Sequence, residues 1–75
     1  MQRRFVFEAT PLAEIVAELQ RVYNVTIILD DPTLGTLTLN GSFDQEEFET
    51  VLSDICLSLE LTYIREADGY RIRRP

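Results

Sequence analysis

The feature that most constrains the fold is a gapless internal repeat. The stretch FEATPLAEIVAELQRVYNVTII, which begins at Phe7, aligns with FDQEEFETVLSDICLSLELTYI, which begins at Phe43, at a constant offset of 36 residues. Few letters are identical, but apolar residues return at almost every corresponding position, as Ile15 and Val51 do. This pattern predicts that one short structural unit occurs twice in the chain.

Each copy has the pattern of a strand, a helix and a strand. Alternating or β-branched apolar residues predict strands at 4–8, 25–29, 36–43 and 61–66, and a further strand at 70–73 forms a hairpin with the fourth. Apolar residues at helical spacing predict one amphipathic helix in each copy. The two apolar stripes consist of Leu12, Ile15, Val16, Leu19 and Tyr23 in the first copy, and Phe48, Val51, Leu52, Ile55 and Leu59 in the second.

Polar residues at the helix ends predict how each helix begins and ends. Thr10 is a predicted N-cap of the first helix, and Asp44 is one for the second, with Glu47 completing a capping box. Asn24 is suited to a left-handed conformation that closes the first helix. Because Glu60 stands at the corresponding position of the second copy, we expect the second helix to end differently.

The connection between the copies and the strand after it have turn-forming residues. Residues 30–35, with the sequence DDPTLG, are predicted to form a turn, and the two adjacent aspartates there fit turn chemistry better than a cation site. Gly41 lies on the apolar face of its strand, and a glycine within a strand is typical of a β-bulge.

Neither copy can bury its apolar helix stripe and strand face alone. The predicted fold is therefore α+β, with duplicated β-α-β units in the order βαβ-βαββ and two helices side by side, packed between two small β-sheets. We expect a single domain over 1–75, with pseudo-repeats at 4–29 and 36–66 and an extra strand at 70–73.

Composition argues against several classes of function. The chain has 75 residues, no histidine and a net charge of −6, so the commonest general base is missing and a nucleic acid would be repelled. Neither a glycine-rich phosphate loop nor a catalytic motif is present, and Cys56, the single cysteine, fits a small buried residue better than a reactive thiol. We predict no enzymatic activity, no catalytic residues, no cofactor and no metal site.

No apolar run approaches the roughly 20 residues of a membrane span, so we expect no direct membrane insertion.

The remaining candidate is a protein-binding surface at the last strand. Two small open sheets leave strand edges free, and free edges are docking sites for other proteins. Tyrosine and arginine are favoured at interfaces, so Tyr70, Arg71, Arg73 and Arg74 are the predicted partner-binding residues. The alternative is an ordinary solvent-exposed strand end, which Pro75 would protect from edge pairing.

Several stretches, taken in order, carry a resemblance to a known family. The helix segment PLAE…YNV, the turn DDPTL, and the stretch GSF…VL…ICLSLELTY with a closing GYRI resemble the C-terminal domain of FecR-type anti-sigma regulators from Phe5 to Ile72. The same pattern is similar, more distantly, to the secretin and TonB short N-terminal domain. Both resemblances imply the double β-α-β fold.

The resemblance also implies a function. FecR-type proteins lie in the inner membrane of Gram-negative bacteria and control an extracytoplasmic-function sigma factor through a cytoplasmic part, which we do not expect within these 75 residues. Their periplasmic C-terminal part receives a signal from the signalling domain of a TonB-dependent outer-membrane transporter, commonly for iron–siderophore or other nutrient uptake. This chain would be the receiving domain. The alternative is the N-terminal signalling domain of such a transporter, or a secretin-type domain.

Overall fold

The computed structural model describes residues 4–75, which form an α+β fold in the predicted order βαβ-βαββ. The strands are β1 (Arg4–Pro11), β2 (Ile27–Leu29), β3 (Thr38–Asp44), β4 (Thr62–Glu66) and β5 (Gly69–Arg73). The α-helices are α1 (Leu12–Tyr23) and α2 (Phe48–Ser58), and a 3₁₀-helix spans Pro32–Thr36.

The strands form two small sheets, and each sheet contains strands from both copies. Strands β1 and β3 pair antiparallel in a two-stranded sheet, here called sheet A. The three-stranded sheet, sheet B, has the order β2-β5-β4, with β5 parallel to β2 and antiparallel to β4. Each copy therefore completes both sheets of the other.

The register of sheet A reflects the internal repeat. Val6 lies opposite Ser42, and these two positions correspond at the repeat offset. On either side, Phe5 pairs with Phe43 and Phe7 pairs with Gly41, so exchanging the copies reproduces the same pairing. A local twofold axis therefore passes through the Val6–Ser42 pair.

Left-handed backbone conformations recur at the repeat offset even where the residue types differ. The non-glycine residues with positive φ are Ala9 (48°), Asn24 (56°), Gln45 (58°) and Glu60 (57°), which form two pairs separated by the repeat offset. The prediction that Glu60 would end the second helix differently is wrong in this respect, because Glu60 adopts the conformation of Asn24. The N–H of Leu61 donates to the carbonyl of Cys56 (2.8 Å), which is the long bond of a Schellman motif. Helix α2 nevertheless ends one residue earlier in its copy than α1 does.

The predicted N-caps are wrong because strand pairing holds those residues extended. Thr10 lies within β1, where its hydroxyl accepts a bond from the N–H of Glu8, and Pro11 is the N-cap residue of α1 (φ −64°, ψ 143°). Asp44 is the last residue of β3, opposite Arg4, so α2 begins later, after Glu47. Neither α-helix has a side-chain cap at its N-terminus. Tertiary pairing thus overrides the local capping preference.

The bulge of sheet A lies on β1 rather than at Gly41. Gly41 pairs regularly with Phe7, and the register shifts between Phe7 and Thr10. Ala9 takes its left-handed conformation within this shift, and its N–H donates to the side-chain oxygen of Asn40 (2.8 Å). The asparagine side chain thus supplies the bond that the ladder cannot.

The connection between the copies is more ordered than a turn. The Asp31 carboxylate accepts a hydrogen bond from the N–H of Thr33 (3.0 Å) and caps the 3₁₀-helix, which confirms a turn-type role for this aspartate. The N–H of Leu12 donates to the carbonyl of Leu37 (2.7 Å), a contact between the chain just before β3 and the start of α1. Strand β2 begins at Ile27 and β3 at Thr38, each two residues later than predicted.

Both helices and both sheets contribute to one core. Four residues of α1 and four of α2 are buried, and β1, β3, β2 and β5 supply further apolar side chains. All seven aromatic residues are linked by ring contacts, with centroid separations from 4.9 to 6.2 Å. In order, the rings are Phe43, Phe7, Phe5, Tyr23, Phe48, Tyr70 and Tyr63. This series of rings runs from sheet A to sheet B through the core.

Candidate partner-binding surface

The predicted position of the last strand at a sheet edge is wrong. Strand β5 lies in the centre of sheet B, because β2 pairs with it in parallel on one side and β4 closes the hairpin on the other. Periodicity identified the strand but gave no information about which strand would become its second neighbour. The free edges of sheet B belong to β2 and β4.

Tyr70 is fixed within the domain. Its ring packs against those of Phe48 (4.9 Å) and Tyr63 (6.1 Å), and its hydroxyl donates to a carboxylate oxygen of Glu49 at 2.9 Å. The hydrogen bond to Glu49 raises the pKa of the Tyr70 hydroxyl. This side chain is half-buried and positions the start of α2 against sheet B, so little of the ring is free for a partner.

Arg71 is the centre of an ion-pair network on the outer face of sheet B. Its guanidinium donates to Glu66 at 3.0 Å and to Asp30 at 3.3 Å, and its side chain is 32% exposed. The hydrogen bond to Glu66, with a smaller contribution from Asp30, raises the pKa of Arg71. The two carboxylates hold the guanidinium in place and neutralise its charge.

Two exposed isoleucines lie beside Arg71. The sheet register places Ile28 of β2 opposite Arg71 on one side and Ile64 of β4 opposite it on the other. Ile28 is 43% exposed and Ile64 is 39% exposed. The outer face of sheet B is therefore a row of isoleucine, ordered arginine and isoleucine, a composition that suits protein contacts.

Arg73 and Arg74 are the accessible cations of the predicted set. Both side chains are exposed, and within residues 4–75 no salt bridge joins either to an acidic residue. Arg73 lies opposite Thr62 of β4, at the end of the sheet away from the hairpin. The structure thus divides the predicted residues into two groups. Tyr70 and Arg71 are held by side chains of the domain itself, whereas Arg73 and Arg74 are exposed to a partner.

Sequence reasoning missed the exposed apolar residues. Leu57 lies outside the predicted helix stripe and is 80% exposed on α2. It lines a shallow groove of about 170 Å³ between α2 and β4. The available signal was an apolar residue at a position where the periodicity predicts a polar one, and the same signal applied to Ile28 and Ile64.

The acidic side chains and the cysteine of the described residues are dispersed. Within residues 4–75, no three histidine, cysteine, aspartate or glutamate side chains lie close enough to hold a metal ion together. Cys56 is buried, as predicted, and burial raises the pKa of its thiol to about 11. In the same part of the chain, no helix is sufficiently long and apolar to cross a bilayer.

The accessible features of the described residues are strand edges, exposed apolar side chains and arginines, which suit contacts with another protein. The chain belongs to the FecR C-terminal family, whose model matches residues 4–72. This confirms the resemblance predicted from the sequence.

Solved structures agree with this assignment. The fold resembles two crystal structures of a "putative anti-sigma factor" from Parabacteroides distasonis ATCC 8503, each with a TM-score of 0.90 and 27% identity. The alignment covers 99% of this chain and 35% of each of those chains, so this chain spans about a third of their length. No curated protein sequence matches this chain significantly.

Proposed function

We propose that this chain is the periplasmic signal-receiving domain of a FecR-type transmembrane anti-sigma regulator. In this proposal it binds the N-terminal signalling domain of a TonB-dependent outer-membrane transporter and thereby controls an extracytoplasmic-function sigma factor for iron–siderophore or other nutrient uptake. The sigma factor contacts a part of the regulator outside this chain. The observation that carries the proposal is the family match over residues 4–72.

The surface is suited to a transient signalling interface. Transient signalling interfaces commonly bury less than about 1,200 Å² in total, and a domain of this size can supply that area. Arg73 and Arg74 are exposed cations in a chain whose net charge is −6, so they favour an acidic patch on the partner. Tyr70 and Arg71 contribute to the proposed surface indirectly, because their contacts within the domain order the strand that carries Arg73.

A direct binding measurement tests this function. Isothermal titration calorimetry of this domain with the signalling domain of the transporter encoded beside it should give a dissociation constant in the range of about 1–100 μM. The double variant Arg73→Glu/Arg74→Glu should weaken binding about tenfold, because it places negative charge against an acidic partner. Exchanging the exposed carboxylate of Glu14 on α1 for an amide is the control and should leave affinity unchanged.

The alternative, a sending domain of a transporter or a secretin-type domain, predicts a different gene. It requires a plug and barrel, or further secretin domains, in the same reading frame after this segment. The receiving domain requires a transmembrane helix and a cytoplasmic segment before it. Family membership favours the receiving domain. Absence of binding to any transporter signalling domain of the same genome would contradict the proposal.

A further inference from the structure

The backbone of β5 directs its hydrogen-bonding groups differently toward its two neighbours. The N–H of Tyr70 donates to the carbonyl of Thr26 (2.9 Å), and the carbonyl of Ile72 accepts from the N–H of Asp30 (2.9 Å). The N–H and C=O of one strand residue point to the same side of the strand. Tyr70 and Ile72 therefore direct their backbone groups toward β2 and away from β4.

The opposite residues of β4 consequently face the open side. Arg65 lies opposite Tyr70 and Tyr63 lies opposite Ile72, and both are non-hydrogen-bonded pairs of the antiparallel ladder. The N–H and C=O groups of Tyr63 and Arg65 thus point away from the sheet, at the free edge of β4. An incoming strand could pair with these groups.

The corresponding edge of the first copy is capped at one donor by a side chain. The N–H of Ile27 donates to the side-chain oxygen of Gln20 at 2.8 Å, which satisfies one outward backbone donor of β2. At the repeat offset, Tyr63 corresponds to Ile27 and Cys56 corresponds to Gln20. Cys56 is a buried thiol and has no amide oxygen that could accept a bond from the N–H of Tyr63. The β4 edge therefore lacks the side-chain cap that Gln20 provides on β2.

The surroundings of the β4 edge indicate what kind of strand would fit. The groove between β4 and α2 is lined by Ser53, Cys56, Leu57, Leu61, Thr62 and Tyr63. Leu57 is the most exposed large apolar side chain of the described residues, at 80%. Arg65 lies near the hairpin end of this edge, and Arg73 lies beside Thr62 at the other end. The edge is thus apolar in its middle and basic at both ends.

We propose that the β4 edge accepts an extended strand of the signalling partner as a fourth strand of sheet B. The incoming backbone bonds to Tyr63 and Arg65, an apolar side chain covers Leu57, and acidic residues of the incoming strand meet Arg65 and Arg73. The identity of the partner rests on the function proposed above, whereas the edge and the kind of strand rest on the geometry of β4. In this arrangement the incoming strand would lie beside the exposed side chain of Arg73, so the β4 edge and the basic residues Arg73 and Arg74 would form one interface.

Amide hydrogen exchange measured by NMR, with and without the transporter signalling domain, tests the proposal. The amides of Tyr63 and Arg65 should exchange at least about tenfold more slowly in the complex, because each gains a backbone acceptor or becomes covered. The amide of Ile27, which Gln20 already satisfies, should change little and serves as the internal control.

Two variants test the same edge through affinity. Leu57→Glu should weaken binding about tenfold, since it charges the apolar centre of the interface, whereas Val6→Glu on the outer face of sheet A should have no effect. Arg65→Pro removes an outward N–H without removing a bond of the β4–β5 ladder, and should also weaken binding. Circular dichroism should show that all three variants keep the fold.

The outcomes separate the two proposals. If the wild-type domain binds the signalling domain but Tyr63 and Arg65 stay unprotected, and Leu57→Glu binds normally, the strand-addition proposal is overturned and the proposed function stands. Protection that appears without partner and increases with protein concentration would assign the edge to a second copy, and would also overturn it. Absence of any wild-type binding would overturn the proposed function together with the occupant named here.

Discussion

At the scale of single residues, the fold depends on left-handed conformations at positions that carry no glycine. Ala9, Asn24, Gln45 and Glu60 all have φ between 48° and 58°. A side chain with a Cβ atom makes this conformation unfavourable by about 1–2 kcal/mol, and asparagine tolerates it best. Three of the four positions therefore hold residues that the backbone does not favour, because sheet pairing and helix closure fix the geometry around them.

Glu60→Gly should raise the free energy of unfolding by about 1 kcal/mol, because Gly adopts the left-handed position of a Schellman motif without a Cβ clash. Urea unfolding of the variant and the wild type measures the difference. Glu60→Ala is the matched control, since it removes the charge but keeps the Cβ atom, and should gain much less. Equal gains from the two variants would assign the effect to charge and contradict the conformational explanation.

The buried thiol of Cys56 makes stability depend on alkaline pH. Its pKa is raised from 9.0 in the exposed thiol to about 11 in the fold, so the unfolded chain loses the proton first as the pH rises. The contribution to stability is complete below about pH 9 and is lost as the pH rises through 11. Thermal unfolding at pH 8 and pH 10.5 should show a smaller decrease in Tm for Cys56→Ala than for the wild type; equal decreases would contradict this assignment. The raised pKa of Tyr70 acts in the same direction in both proteins.

At the scale of elements, the two edges of sheet B show how one side chain changes the role of a strand. Gln20 on α1 caps the outward N–H of Ile27, so the short strand β2 presents one fewer unsatisfied donor at its edge. Its counterpart in α2, Cys56, is part of the core instead. One difference between the copies thus caps an edge donor in β2 and leaves the corresponding donor of β4 without this cap.

Gln20→Ala should destabilise the domain by about 1 kcal/mol and speed the exchange of the Ile27 amide, because a part-buried donor loses its acceptor. Hydrogen exchange of that single amide, together with urea unfolding, measures both effects. Gln20→Glu keeps a carbonyl-type oxygen at the same reach and is the matched control, so it should retain slow exchange. Unchanged exchange in Gln20→Ala would show that the side chain does not close the edge.

The sequence predicted the elements of this fold better than their ends and neighbours. Periodicity identified both helix stripes, and Leu12, Ile15, Leu52 and Ile55 are all buried as predicted. Thr10 and Asp44 failed as N-caps because pairing between β1 and β3 extends both strands through them, a long-range effect that local capping preferences do not contain.

At the scale of the whole molecule, the two copies depend on each other. Sheet A contains one strand from each copy, and β2 of the first copy is held in sheet B by β5 of the second. The series of aromatic rings likewise passes between copies where Tyr23 meets Phe48 at 5.3 Å. Neither copy alone has a partner strand for its first strand or enough apolar surface to cover its helix.

Peptides 1–35 and 36–75 should therefore be unfolded when separate and should fold together when mixed. Far-ultraviolet circular dichroism of each peptide and of the equimolar mixture measures this. Leu52→Ala in the second peptide is the control, because the loss of about 2–5 kcal/mol from a fully buried site should prevent assembly. Native-like helix content in either separate peptide would contradict the mutual dependence of the copies.

The candidate surface was only partly predictable because it depends on sheet order. Arg73 and Arg74 are exposed, as their place near the chain end indicates. No local pattern indicates that Arg71 would pair with Asp30, 41 positions earlier, since that contact arises only when β5 inserts beside β2. For the same reason, the prediction of a docking site on the last strand is displaced by one strand, because the free edge next to it belongs to β4.

Whether this domain receives the signal is tested most directly with the full-length regulator in its own cell. A reporter of sigma-dependent transcription is measured with and without the inducing nutrient, for the wild type and for regulators carrying Leu57→Glu or Arg73→Glu/Arg74→Glu in this domain, with Val6→Glu as control. The control should respond normally, whereas the docking variants should accumulate to normal levels but respond weakly to the nutrient. Full induction in the docking variants would contradict the assignment of this domain as the receiver of the signal.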